Sequence, residues 1–251
     1  MLSSSYRVLV QAGIVLILLG LWEAAVFSGL ADTRTLPPPS EIAIHIVALL
    51  GDQDVLYNLW ITSAQVGLAF LIVAPVGVAI GLLLGEHEYI GRAFRPFFYF
   101  LAGVPKSVFL PVFILTFGIG FTQKVAFGIF QAIFVLVISA IAAVGSVSPT
   151  LIKVARSYGA NRWQLYSQIF LPAMMPVVIE GMRLGMIFNI TGVVFAEMYV
   201  ARAGIGHMIA TWGMSFQMPQ LFAGIFLTAF LSIAVNEVLR WYERRVDKWR
   251  K

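Results

Sequence analysis

The sequence predicts an all-α integral membrane protein of six spanning helices, with one water-facing loop between the fourth and the fifth. Three observations carry that reading. Of 251 residues, 60% are hydrophobic and only 12% charged, with a mean hydropathy of +0.89, whereas soluble domains carry about 25% charged residues. Six apolar runs approach the roughly 20 residues that a helix needs to cross a bilayer. Between the fourth and fifth runs lies KVARSYGANRWQLYSQIFLP, residues 153–172, whose Lys153, Arg156, Asn161, Arg162, Gln164 and Gln168 cannot rest in hydrocarbon.

The first span, residues 8–29, is apolar apart from Gln11 and Glu23. It continues through Trp22 and Val26, beyond the 7–15 residues or so of a signal-peptide core, so it reads as a membrane helix. Glu23 near its end is expected to snorkel to the interface. TRTLPPPSEI, residues 33–42, is an extended connection stiffened by three prolines. Ser40 is expected to cap a short amphipathic helix carrying Ile42, Ile46 and Leu49 along the membrane surface. The second span, 59–84, brings Gly77, Gly81 and Gly85 into small-xxx-small spacing, which predicts close helix packing. The third, 97–117, is interrupted by Pro105 and Pro111 and requires protein or water around the freed backbone groups. The fourth covers 125–144, the fifth 173–196 and the sixth 221–239. Neither a solenoid repeat nor a long linker divides the chain, so it reads as a single membrane domain over 1–251.

Orientation follows from the basic residues. With a cytoplasmic N-terminus, twelve Lys and Arg fall on the inner side and three, Arg34, Lys124 and Arg202, on the outer. Six of the twelve (Arg240, Arg244, Arg245, Lys248, Arg250 and Lys251) follow the sixth span directly, as in an anchor facing anionic lipid, so the net charge of +5 does not indicate a nucleic-acid partner. Both termini and the loop at 150–172 are then cytoplasmic, and the GIG turns at 118–120 and 204–206 face outward.

Within the loop, Ile152, Ala155 and Tyr158 recur at helical spacing, Gly159 interrupts, and Trp163, Tyr166 and Phe170 recur again until Pro172. Two short amphipathic helices with basic ends form a surface suited to a protein partner, and three aromatics on one face of a plain connector would have no purpose without one. The order Ala155, Gly159, Ile169, Leu171, Pro172 resembles the cytoplasmic EAA loop of ABC-importer permeases, with five of its seven defining positions matched and Lys153 and Val154 where that family has Glu and Ala. VPKSVFLPVFILTFGIG (104–120) and GVVFAEMYVARAGIGHMI (192–209) resemble the nitrate, sulfonate and taurine branch.

The resemblance implies the type I importer permease fold in a bacterial inner membrane. It also implies a homodimer, ABC ATPase subunits docked on Lys153, Ala155, Arg156, Gly159, Ile169, Leu171 and Pro172, and an extracytoplasmic substrate-binding protein. ATP and magnesium would be bound by the ATPase. Lys153 in place of Glu implies an acidic or neutral ATPase surface opposite it. The implied substrate is a small anion such as a sulfonate, taurine or nitrate, with pyrimidine precursors of thiamine and aromatic acids also within the branch.

The residues themselves exclude several chemistries. There is no G-x-x-x-x-G-K-[ST] string to cradle ATP phosphates. No cysteine is present, and His45, His87 and His207 lack metal-ligand spacing, so neither a catalytic centre nor a metal site is expected. An ion-coupled secondary transporter is the other function class, and it lacks inverted repeats and a carboxylate relay here. Polar residues at membrane depth are the remaining candidates for the pathway. Lys106 either lines it or reaches headgroups, and Glu197 either gates it or pairs with Arg202. Asn189, with Gln131 and Asn236, is either a pathway residue or interhelical glue. Arg183, about 16 Å beyond Pro172 along a helix, either pairs with Glu180 or offers an anion its exit. Trp22, Trp60, Trp212, Trp241 and Trp249 are expected in interfacial belts.

Overall fold

In the computed structural model, residues 4–246 are described, and all regular structure among them is helical. Helix α1 (Ser4–Phe27) is followed by α2 (Pro39–Leu50), α3 (Gln53–Glu86), α4 (Glu88–Gly103), a 3₁₀ turn (Lys106–Phe109) and α5 (Leu110–Phe117). Next come α6 (Phe121–Gly145), α7 (Pro149–Ser157), the turn α8 (Arg162–Gln164), a π-helical stretch (Leu165–Phe170), α9 (Leu171–Tyr199), α10 (Ile205–Met214) and α11 (Met218–Val246). Among the described residues five helices are long and apolar enough to cross a bilayer, and α4 with Lys106–Phe117 makes a sixth, bent candidate.

The centre of the bundle is α6, packed between a parallel α3 and an antiparallel α9. Glycines set both distances. Gly77, Gly81 and Gly85 of α3 lie against Leu136, Ala140 and Val144 of α6, so that two i, i+4, i+8 rows mesh. On the other flank Gly181, Gly185 and Gly192 of α9 lie against Ser139, Leu136 and Gln131. Leu136 is therefore held between Gly77 and Gly185 and is 1% exposed. With no water inside a membrane to drive apolar association, such close van der Waals packing is what holds helices together.

The third span departs most from expectation. Rather than one interrupted helix over 97–117, the chain turns by 90° between α4 and the segment Lys106–Phe117. Val104, which precedes Pro105, is extended at φ −76°, ψ 136°, as the proline ring requires of the residue before it. Pro111 causes no break, because it sits in the first turn of α5, where no backbone N–H is needed.

The N-terminal region differs too. Helix α2 starts at Pro39, so Ser40 lies inside its first turn and is not the cap. The cap comes from α1: Glu23 accepts from Ser40 N (3.1 Å) and Ser40 Oγ (2.6 Å). A carboxylate is favoured there by the unpaired N–H groups of the helix start. Ile42 and Leu49 of α2 are buried with Val55, Ile205, Ile209, Ala223 and Leu227. Trp22 and Trp212 are half-buried and pack against this cluster, Trp22 edge-on to Phe222 at 6.0 Å. Trp60 and Trp241 are exposed. Trp249 and the basic residues Lys248, Arg250 and Lys251 lie outside the described residues.

An added Cβ tests the packing directly. At Gly81 it would stand 2.5 Å from the backbone oxygen of Val137, so α3 and α6 must part. Gly81→Ala should cost about 1–3 kcal/mol in unfolding of the detergent-solubilised protein. Gly67→Ala, on the same helix with nothing within 4 Å of its Cβ, should stay within about 1 kcal/mol of wild type. Equal stability of the two variants would contradict the glycine seam.

Candidate functional site

The segment 149–172 is a built structure and not a loose connector. Helix α7 ends in a Schellman motif: Ala160 N donates to Ala155 O (3.1 Å) and Gly159 N to Arg156 O (3.0 Å). Gly159 stands at φ +78°, the left-handed region that disfavours any residue with a Cβ. Two residues later Asn161 opens the next helix with a capping box. Asn161 Oδ1 accepts from Gln164 N (2.8 Å), and Gln164 Oε1 accepts from Asn161 N (2.9 Å). The π-helical stretch then leads without a break into α9.

The aromatic residues divide. Trp163, Tyr166 and Phe170 do not form one exposed face. Phe170 and Ile152 pack beside the buried Ala143, Val147, Met174 and Val178, and Tyr166 stacks on Phe170 at 5.9 Å. The reason is that the loop is folded back on the ends of α3 and α6, leaving an open cleft of about 510 Å³ whose walls include Glu86, Arg156, Arg162 and Tyr166. What projects outward is Tyr158 (88% exposed) and Trp163 (75%), together with Leu151, Val154 and Lys153. Ala155 and Ile169 are half-buried, while Arg156, Leu171 and Pro172 are exposed. Among the described residues no carboxylate forms an ion pair with Lys153, Arg156 or Arg162.

The membrane-depth candidates have separate surroundings, and the structure does not bring them together as one site. Lys106 does not stand free: Nζ donates to Ala102 O (3.1 Å), closing the end of α4 at the bend, and sits 5.7 Å from the ring centres of Phe134 and Phe188. Asn189 is fully buried and donates to Val66 O (2.8 Å), joining α9 to α3. Arg183 reaches Glu180 (2.7 Å) and also Asn236 Oδ1 (2.9 Å), tying α9 to α11. Arg95 of α4 caps α3 through Leu84 O and Gly85 O.

Glu197 does not pair with Arg202. Its carboxylate is fully buried and accepts from Thr62 Oγ1 (2.8 and 3.0 Å) and Gly206 N (2.9 Å). Thr62 accepts in turn from Ile205 N, and Asn58, one turn earlier on α3, accepts from Gly204 N. The GIG turn is thus a cradle: a Cβ on Gly204 would lie 2.1 Å from the carboxylate, and one on Gly206 would lie 2.8 Å from the Cβ of Glu197. The positive N-terminal end of α10 offsets the buried charge. Neither Thr62 nor Asn58 stands out in the sequence, although their i, i+4 spacing on an apolar helix is the available signal. Lys124 was likewise hidden by being counted as a loop residue; it lies in the first turn of α6 and is 2% exposed. Glu197→Ala would strand the Gly206 N–H, while the Thr62 hydroxyl keeps Asn58 O as an acceptor at 3.1 Å, at a cost of about 1–3 kcal/mol. Thermal unfolding of the purified protein measures this, and a loss below about 1 kcal/mol would contradict the clasp.

Comparison with known proteins agrees with this architecture. The chain is 29% identical over 251 residues to the taurine transport system permease protein TauC of Escherichia coli (strain K12), covering 98% of this chain and 91% of that protein. It is 28% identical over 234 residues to the putative aliphatic sulfonates transport permease protein SsuC of Bacillus subtilis (strain 168), covering 93% and 85%. The crystal structure of a bacterial alginate ABC transporter, in complex with an alginate pentasaccharide-bound periplasmic protein, shares the fold at 15% identity with a TM-score of 0.61, covering 96% of this chain and 93% of that one. Residues 77–249 match the family model described as the binding-protein-dependent transport system inner membrane component, and the chain belongs to that family of ABC-importer permeases.

Proposed function

We propose that this permease carries a small anion, a sulfonate such as taurine first among them, as one half of a homodimer driven by two ABC ATPase subunits. The observation that carries the coupling part is the rigid, partly apolar loop surface. Tyr158 and Trp163 are exposed beside cations that have no acidic partner among the described residues, and exposed aromatics on an ordered scaffold favour a protein partner. Lys153, Ala155, Arg156, Gly159, Ile169, Leu171 and Pro172 belong to this docking segment. ATP and magnesium belong to the ATPase, whose surface opposite Lys153 is acidic or neutral. A soluble binding protein delivers the substrate on the other face, which is supported by the periplasmic protein bound to the alginate transporter. The balance of basic residues supports cytoplasmic termini and a cytoplasmic loop. The anion assignment is supported by the taurine and aliphatic-sulfonate transport named for the two relatives.

The mechanism needs the loop to move as one body with the bundle. The Schellman motif and capping box on either side of Gly159 fix the bend, and the π-helical stretch continues it into α9. A push on the loop is therefore delivered to α9 without a flexible joint. Gly159→Val keeps the space open, since nothing lies within 4 Å of its Cβ, but strains the backbone by about 1–3 kcal/mol. In proteoliposomes holding permease, ATPase and binding protein, ATP-driven taurine uptake should fall at least about tenfold, with the variant still inserted and folded. Wild-type uptake in Gly159→Val would contradict the coupling role.

A further inference from the structure

At the end of the bundle opposite the loop, a cavity of about 410 Å³ lies between α3, the start of α6 and the turn after α9, lined by Tyr57, Gln65, Phe121, Lys124 and Arg202 among others. We propose that it is an oxyanion-binding subsite of the permease itself, built for a sulfonate or a similarly small monovalent anion. The assignment rests on the importer reading above, which makes this end the outer mouth where substrate arrives.

Four observations carry it. Lys124 is 2% exposed yet has no hydrogen bond or ion pair among the described residues, although it lines the cavity. An ammonium removed from water with nothing to receive its protons is costly unless an anion enters beside it. Gln65 is 3% exposed, and its buried Oε1 has no hydrogen-bond partner; turning the amide over exchanges that acceptor for its NH₂ group and offers an anion a donor. Arg202 stands exposed at the rim, likewise without an acidic partner. Helix α6 begins at Phe121, directly after Gly120, so the unpaired N–H groups of a 25-residue helix open on the same wall.

Glu197 is the opposing charge that acts on Lys124. Its oxygens are already engaged by Thr62 and Gly206. One carboxylate against two cations leaves the cavity net positive. Its volume suits a small molecule, and so deeply buried an ammonium is out of reach of a carboxylate on a flat protein surface. A free anion that enters is therefore favoured over a docked acidic residue of the binding protein.

The test uses the purified permease–ATPase complex in phosphatidylcholine nanodiscs, with ethanesulfonate as the probe and thermal unfolding as the readout. Ethanesulfonate should raise the midpoint saturably, and neutral ethyl methyl sulfone should not. Lys124→Gln should weaken the apparent affinity at least about tenfold, the loss of one charge-assisted hydrogen bond, and Arg202→Gln, at an exposed position, should weaken it measurably while folding normally. No saturable shift, or a shift with unchanged affinity in Arg202→Gln, overturns the proposal. If, with the binding protein added to the nanodiscs, Arg202→Gln impairs only its capture, the surface is a docking site and the proposal fails. A shift produced by phosphatidylglycerol and not by ethanesulfonate assigns the cavity to a lipid headgroup, with the same consequence. The transport reading fails separately: wild type that binds ethanesulfonate but shows no ATP-driven uptake keeps the subsite and loses the importer role.

Discussion

Leu136 between Gly77 and Gly185 is the contact on which the rest of the bundle depends. In a bilayer, lipid tails compete equally for any apolar side chain, so helices stay together only where they fit more closely than lipid can. Two rows of glycine, one on α3 and one on α9, give α6 that closeness on both flanks. Helix α1 has no such seam with it: from residue 9 to residue 21 every position but Gly13 is exposed, open to lipid or another chain. The pinned α6 joins the two ends of the molecule. Its first turn carries Lys124, and its last turn runs into the loop that holds Gly159.

Polar groups in the interior are used to join elements that apolar packing alone would leave free to slide. The Glu197 carboxylate joins α3, α9 and the start of α10, Asn189 joins α9 to α3, Arg183 joins α9 to α11, and Lys106 closes the bend after α4. Each is a charge or amide whose hydrogen bonds cannot be exchanged for water at that depth, so breaking one leaves an unsatisfied group. Helix α9 is a partner in three of these four links, and it is also the helix continuous with the loop.

The spanning helices were legible because twenty apolar residues in a row have few other fates, and the glycines of α3 were legible because their four-residue spacing falls within one run. The matching pair Gly181 and Gly185 on α9 has the same spacing and was open to the same reading. Less legible were contacts whose two halves lie far apart in the chain. Nothing near Glu23 announces Ser40 as its partner, and nothing near Glu197 announces Thr62, 135 residues away. The bend of the loop was legible at Gly159, but which aromatics face outward was not, because that depends on how the loop folds onto the ends of α3 and α6. The capping box at Asn161 and Gln164 was readable from its spacing. Lys124 misled for a different reason: a basic residue at the edge of an apolar run looks solvated until the neighbouring turn closes over it.

The ordered loop surface around Tyr158 and Trp163 is the proposed meeting place with the ATPase. Because the sequence contains no cysteine, a single introduced thiol reports its own neighbourhood. Trp163→Cys in the assembled, transporting complex, treated with a short homobifunctional thiol reagent, should crosslink to a cysteine placed on the ATPase surface facing the membrane. Leu115→Cys, equally exposed but on α5, should not. Crosslinking from Leu115→Cys, or none from Trp163→Cys in a complex that transports, would contradict the account.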